Sequence, residues 1–149
     1  MQDSNEFISA NKIYKLKYPV NWDWDVDPEG KGDALRFFNK NTDGGTLRVT
    51  AITLKGKNSE ALSIIRDYKK KYKGAKFFKK ESVGYLTFIG EALQDDTPLV
   101  IYWWYLAKGN YLLIISFTLI KKQFWSKKSR EEIKMVKKIV DSIQFLKNR

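Results

Sequence analysis

The segment Asp23-Trp24-Asp25-Val26-Asp27-Pro28-Glu29-Gly30 carries acids at alternate positions, the pattern with which the first half of a calcium-binding loop surrounds a hard cation with oxygen. Two residues break it. Pro28 stands where that loop needs glycine for its sharp turn, and Ala34 stands where a bidentate glutamate should close the shell. The segment therefore reads as a solvated acidic loop, with no metal assigned. A second group of acids, Glu91, Asp95 and Asp96, flanks a loop and offers the alternative of a carboxylate-pair hydrolase.

The chain has no His and no Cys, which excludes a Ser-His-Asp triad, a thiol nucleophile and imidazole or thiolate metal sites. No catalytic residue and no cofactor is assigned, and the expectation is a protein that is not an enzyme.

Two lysine-rich runs interleave with aromatics: Lys69, Lys70, Lys71, Tyr72, Lys73, Lys76, Phe77, Phe78, Lys79, Lys80, and then Lys121, Lys122, Phe124, Trp125, Lys127, Lys128, Arg130. Lysines neutralise phosphates and exposed rings stack on bases, so nucleic acid is the alternative partner. In the first run the core claims Tyr72, Phe77 and Phe78, leaving the lysines as the wet side. In the second, Phe124 and Trp125 fall in a cationic connection with no evident core demand. Trp24, set among acids, is similar. Exposed tryptophans are favoured interface anchors. Trp24, Phe124 and Trp125 are thus the candidate partner-binding residues, with Lys127, Lys128 and Arg130 as a rim that steers an acidic protein or peptide.

The net charge of +11 suits such a partner. It is unevenly spread: residues 1–33 hold seven acids and four bases, and the remainder holds 24 bases and ten acids. With 149 residues the chain suits one domain with a real core. The longest apolar stretch, Pro98 to Ile120, is interrupted by Lys108-Gly109-Asn110 and alternates as strands do, so no transmembrane segment is expected. Met1 to Asn5 lacks the features of a signal peptide, which favours a cytoplasmic location, or export should a leader precede Met1.

Apolar periodicity supplies the elements that hold these residues. Phe7-Ile8 and Ile13 to Tyr18 read as a short opening strand pair, or as a helical turn followed by a strand, ended by Pro19. Ala34 to Asn39 and Thr46 to Leu54 read as strands about the turn Asp43-Gly44-Gly45. Ala61, Leu62, Ile65, Tyr68 and Tyr72 recur at helical steps within Asn58 to Tyr72, with Asn58 or Ser59 as the cap and Gly74 at the exit. Phe77-Phe78 and Gly84 to Leu93 are further strands. Leu99 to Leu106 and Tyr111 to Leu119 form a hairpin that is apolar on both sides and needs cover on both. Trp103 and Trp104, as strand neighbours, must face opposite ways. A last helix begins at a capping box, Ser129-x-x-Glu132, buries Ile133, Val136, Ile139, Val140 and Ile143, and ends in Ser142-Ile143-Gln144-Phe145. Two amphipathic helices and an antiparallel sheet of five to seven strands predict an α+β fold, a three-layer α/β/α sandwich.

Tyr18-Pro19-Val20-Asn21-Trp22, following a short opening strand, resembles the Tyr-Pro-x-x-Trp entry segment of PsbP/Mog-like proteins, and the element order is similar to theirs across nearly the whole chain. That resemblance implies a single domain with a central antiparallel sheet. Tyr18, Pro19 and Trp22 would then be structural, fixing a turn and plugging one end of the sandwich. The fold serves unrelated roles, among them an extrinsic photosystem subunit, a Ran-GTPase-binding import factor and bacterial secretion adaptors. By analogy of fold it implies a non-catalytic accessory, adaptor or immunity-type domain of bacterial character.

Overall fold

The computed structural model describes residues 3–28, 34–42, 44–55 and 60–146. The chain runs β1 (Ser4–Ile8), β2 (Tyr14–Pro19), β3 (Trp22–Val26), β4 (Leu35–Asn39), β5 (Thr46–Thr53), α1 (Ala61–Lys71), β6 (Lys76–Lys80), β7 (Val83–Gln94), β8 (Thr97–Lys108) and β9 (Tyr111–Ile120). A 3-10 turn (Lys121–Gln123), α2 (Lys127–Asp141) and β10 (Gln144–Phe145) complete it. Seven strands form one antiparallel sheet in the order β3-β4-β5-β9-β8-β7-β6, and β1-β2-β10 form a small second sheet. The expected α/β/α sandwich is present.

Its centre is the β8–β9 hairpin, whose two faces serve two separate cores. Trp104, Leu106, Leu113, Ile115 and Phe117 lie with Ile133, Val136, Ile139 and Val140 of α2. Tyr105, Ala107 and Leu112 lie with Ala61 and Ile65 of α1, and Trp103 packs against that second core. The neighbouring indoles therefore sit under different helices, as strand alternation requires. The small sheet joins the α2 layer through Phe7, Tyr14, Leu16 and Tyr18. Ser142 ties it there, its Oγ accepting from the Lys17 amide at 2.9 Å.

Three local readings need correction. Asp23 to Val26 is not a loop: it is the edge strand β3, paired to β4 from Trp22↔Asn39 to Val26↔Leu35. The opening strand pair leaves the main sheet and forms its own sheet with β10, so Gln144 and Phe145 extend a strand beyond the helix rather than its end. The capping box is displaced by one turn. Ser126 is the α2 cap, its Oγ accepting from the Ser129 amide at 3.1 Å, which leaves Glu132 free for another partner.

Of the α1 entry, Asn58 and Ser59 lie outside the described residues. The helix starts after Glu60, which provides no side-chain cap. Instead the Gly109 carbonyl accepts from the Ala61 amide at 2.9 Å, so the β8–β9 turn satisfies one donor of the helix end. Gly109 has φ +58, as the first central residue of a type II′ hairpin turn requires. Asp43 of the predicted turn also lies outside the described residues.

The β6–β7 turn places Glu81 and Ser82 at φ +51 and +69, the type I′ geometry that favours Asn-Gly. Replacing the pair by Asn-Gly is expected to stabilise the protein by about 1 kcal/mol, or about 2–4 °C in Tm. A thermal melt that does not rise would contradict that turn.

Candidate functional site

Phe124 and Trp125 stand on the connection between β9 and α2, which is pinned by short hydrogen bonds. The Phe124 amide donates to Lys121 O at 3.1 Å, and the Ser126 amide donates to Gln123 O at 3.0 Å. Phe124 is half-buried and stacks on Tyr102 at 6.2 Å, while Tyr102 stacks in turn on Trp104 at 6.0 Å. Trp125 meets Phe124 edge-on at 4.8 Å and is 80% exposed. A ladder of rings thus climbs from the core to solvent and holds one indole outside. An exposed indole held on a fixed base has the character of an interface anchor.

Lys127, Lys128 and Arg130 are exposed on the first turns of α2, beside that ledge. The first turn of α2 holds no acid. Cations near a helix N-terminus oppose the dipole, so the dipole gives no reason for them there. The α1 lysines differ: Lys69, Lys70 and Lys71 occupy a last turn, where the dipole favours them.

The structure does not bring Trp24 to this place. Trp24 lies on β3, at one margin of the sheet and four strand steps from β8, roughly 19 Å. It is 39% exposed, meets Phe7 edge-on at 4.9 Å, and lines an apolar cleft of about 480 Å³ with Ile8, Val26 and Leu35. The candidate tryptophans therefore belong to two surfaces.

Two of the alternating acids, Asp25 of β3 and Asp27 just beyond it, meet arginines of β4 and β5. Asp25 accepts from Arg36 Nε and Nη2 at 2.7 and 2.6 Å, and Asp27 accepts from Arg48 Nε at 3.1 Å. The two hydrogen bonds from Arg36 hold the Asp25 carboxyl below the usual carboxylate range. This is a cross-strand charge ladder in place of the expected solvated loop; Glu29 and Gly30 lie outside the described residues. The other acids also separate: Glu91 pairs with Lys121 at 2.8 Å, and Asp95-Asp96 form the β7–β8 turn at positive φ.

In the first lysine run, Tyr72 is stacked between Tyr68 and Phe88, and Phe77 packs against the α1 core. Phe78 departs from expectation. It remains half exposed, stacked on Tyr85 at 4.9 Å, because β6 is the sheet's margin and no layer of the described residues covers it.

Sequence patterns alone do not locate two further features. The first is a cleft of about 480 Å³ between α2 and the β6–β8 side of the sheet. Tyr102, Trp104 and Ile89 line it, with Lys73, Lys76 and Lys137 and the single acid Asp141. Its residues come from four elements, so no local spacing announces it.

The second is Glu132, which is buried and accepts a hydrogen bond from the Gly45 amide. Burial pushes its carboxyl up, against the opposing effects of that amide and of Lys128. The unfolded group titrates near 4.5. From there up to the higher folded pKa the native state binds more protons than the unfolded chain, so stability falls as pH rises through that window. Above the folded pKa the loss is complete. Glu132→Gln keeps the acceptor and removes the charge, so its stability relative to wild type should rise with pH across the same window. Urea melts of both proteins from about pH 4 to about pH 8 check this, and a constant difference would contradict it.

The family described as domain of unknown function (DUF3805) matches residues 2–148, and the chain belongs to it. No curated protein matches the sequence. Among solved structures, a crystal structure from Bacteroides thetaiotaomicron is 24% identical with a TM-score of 0.73, covering 99% of this chain and 50% of that one. The present chain thus spans half the length of that protein. LpqN of Mycobacterium tuberculosis, described as involved in cell envelope biogenesis, is 8% identical with a TM-score of 0.63, over 97% of this chain and 91% of that one. Cyanobacterial PsbP from Synechocystis is 10% identical over 97% of this chain and 94% of that one, with a TM-score of 0.46 that adds nothing to the fold argument. These likenesses concern the sandwich. No described helix is long and apolar enough to cross a membrane.

Proposed function

We propose that this member of the DUF3805 family is a non-catalytic accessory or adaptor domain that binds another protein or a peptide through the Phe124–Trp125 ledge. The observation that carries this reading is Trp125, bare to solvent at the end of a ring ladder rooted in the core. A large aromatic whose position is already fixed loses little entropy on contact and offers wide apolar area, the character of an interface hot spot. Lys127, Lys128 and Arg130 supply the field that draws in an acidic surface. The resemblance of the Tyr18-Pro19-Val20-Asn21-Trp22 segment and of the element order to PsbP/Mog-like proteins supports a binding role by analogy.

Trp125→Ala should weaken partner binding by about 30-fold or more, the scale of a 2 kcal/mol hot spot, with the melting temperature unchanged. Reversing Lys127, Lys128 and Arg130 together should slow association and flatten its salt dependence. Surface plasmon resonance against a partner captured from native lysate checks both. If both variants bind as wild type does, the ledge is not the site.

A second reading rests on the exposed lysines of α1 and β6, namely Lys69, Lys70, Lys71, Lys73, Lys76, Lys79 and Lys80. It makes the domain a binder of nucleic acid or another polyanion. Retention on heparin with a steep salt slope, unaffected by Trp125→Ala, would favour it over the ledge.

A further inference from the structure

β6 and β7 differ greatly in length, and the difference leaves backbone unpaired. β6 has five residues, and its ladder with β7 runs only from Lys80↔Val83 to Lys76↔Thr87. β7 has twelve residues, and on its other side β8 pairs with it from Gly84↔Ala107 to Gln94↔Thr97. From Phe88 to Gln94, then, β7 has no strand neighbour on its outer side among the described residues. Every second residue there directs its amide and carbonyl outward, which is a ready template for an added strand. Edges of this kind are normally blunted by lysine or proline. β6 is so protected, by Lys76, Lys79 and Lys80, whereas the overhang carries Ile89 and Leu93, 58% and 73% exposed.

The surroundings of the overhang specify what would pair with it. The lysine-and-aromatic cleft opens where β6 stops, since Thr87, Phe88 and Ile89 line it together with Lys73, Lys76, Lys137, Tyr102 and Trp104. Three ammonium groups face one carboxylate there, so the cleft suits a negatively charged side chain on an aromatic floor. Tyr102 is the β8 partner of Ile89 and also stacks on Phe124, which makes the overhang continuous with the Trp125 ledge. Lys121, bonded to Glu91, bridges the two on the other side.

We infer that the outer edge of β7 from Phe88 to Gln94 receives an extended, acidic segment of a partner protein as an added strand. Backbone hydrogen bonds supply affinity in this mode, and alternate side chains entering pockets supply specificity. On the α2 side of the sheet the incoming strand sets an acidic residue in the cleft and an apolar residue against Ile89 and Tyr102. The inference rests on the proposed peptide-binding role and names the partner's chemistry and its mode of docking.

The test selects peptides of about twelve residues from a displayed random library on the wild-type chain, then maps the best of them by amide hydrogen exchange and NMR. The expected peptide alternates apolar with acidic residues. It protects every second amide between Phe88 and Gln94, and it loses about tenfold or more in affinity on N-methylation of alternate backbone nitrogens and in Lys73→Glu or Lys137→Glu, whose exposed side chains make misfolding no concern. Any of four results overturns the inference: no peptide selected, a selected peptide without acids, protection confined to the α1 lysines, or the same amides protected by the chain's own dimerisation without peptide. The two readings fail separately. A peptide sensitive to Trp125→Ala but indifferent to N-methylation removes strand addition and keeps the ledge. One sensitive to N-methylation but indifferent to Trp125→Ala does the reverse.

Discussion

Trp22→Ala should lower the stability of the protein by about 3–5 kcal/mol, or on the order of 10 °C in Tm. The ring is 3% exposed and belongs to the α2 core. It sits at the first residue of β3, opposite Asn39, and shares a small cleft with Glu132 and Met135 of α2. Truncation leaves a cavity beneath the N-terminal half of α2, which neither the sheet nor the capped helix can close. Trp125→Ala, by contrast, removes a ring that is 80% exposed and meets Phe124 edge-on, and its cost should stay within about 0.5 kcal/mol. Paired urea melts decide the matter. Equal losses for the two variants would show that the exposed indole is structural and the buried one is not a plug. Tyr18 shares the packing role through its ring contact with Phe37 at 5.7 Å.

The contrast between these tryptophans shows what one-dimensional patterning can and cannot reveal. Burial on a helix stripe or a central hairpin is periodic, and so the two helices, the paired indoles of β8 and both faces of β9 were legible. Charge alternation is ambiguous. Asp23, Asp25 and Asp27 have the same spacing in an oxygen-lined loop and on one side of a strand, and only Arg36 and Arg48, brought alongside by β4 and β5, decide for the strand. The capping box failed for a related reason. Ser126 and Ser129 both precede the buried stripe, and the choice between them depends on whether Glu132 is needed elsewhere. Phe124 and Trp125 were identifiable because no periodic element claims them. The open edge of β7 carries a fainter signal: the strand-like run before Glu81-Ser82 is much shorter than the run after it, so one strand must outlast its neighbour. The cleft beside it gathers Lys73, Lys76 and Lys137 across more than sixty residues of sequence, and no local spacing encodes that.

Adding a single methyl group at Gly45 should cost about 2–3 kcal/mol, and the cost should be independent of Glu132. Neither Gly44 nor Gly45 has positive φ, so a substitution at either is judged by space alone. A Cβ at Gly45 would lie 2.5 Å from the carbonyl oxygen of Thr118 and 2.6 Å from Cζ of the fully buried Phe117. Thr118 is fixed in the middle of the sheet by its pairing with Thr46 and Ile101, and Phe117 fills the core, so neither can yield. The three atoms nearest a Cβ at Gly44 all belong to the carboxylate of Glu132, the movable end of a side chain. Gly44→Ala therefore acts by pushing that carboxylate away from the Gly45 amide, which takes its partner from a part-buried donor at about 1–2 kcal/mol. In a Glu132→Ala background the same change at Gly44 should cost almost nothing, while Gly45→Ala should keep most of its penalty. Additive losses for Gly44→Ala and Glu132→Ala would mean that the carboxylate does not hold this loop. Coupling at Gly45 equal to that at Gly44 would mean that the loop, rather than the packed β5–β9 backbone, absorbs the methyl group.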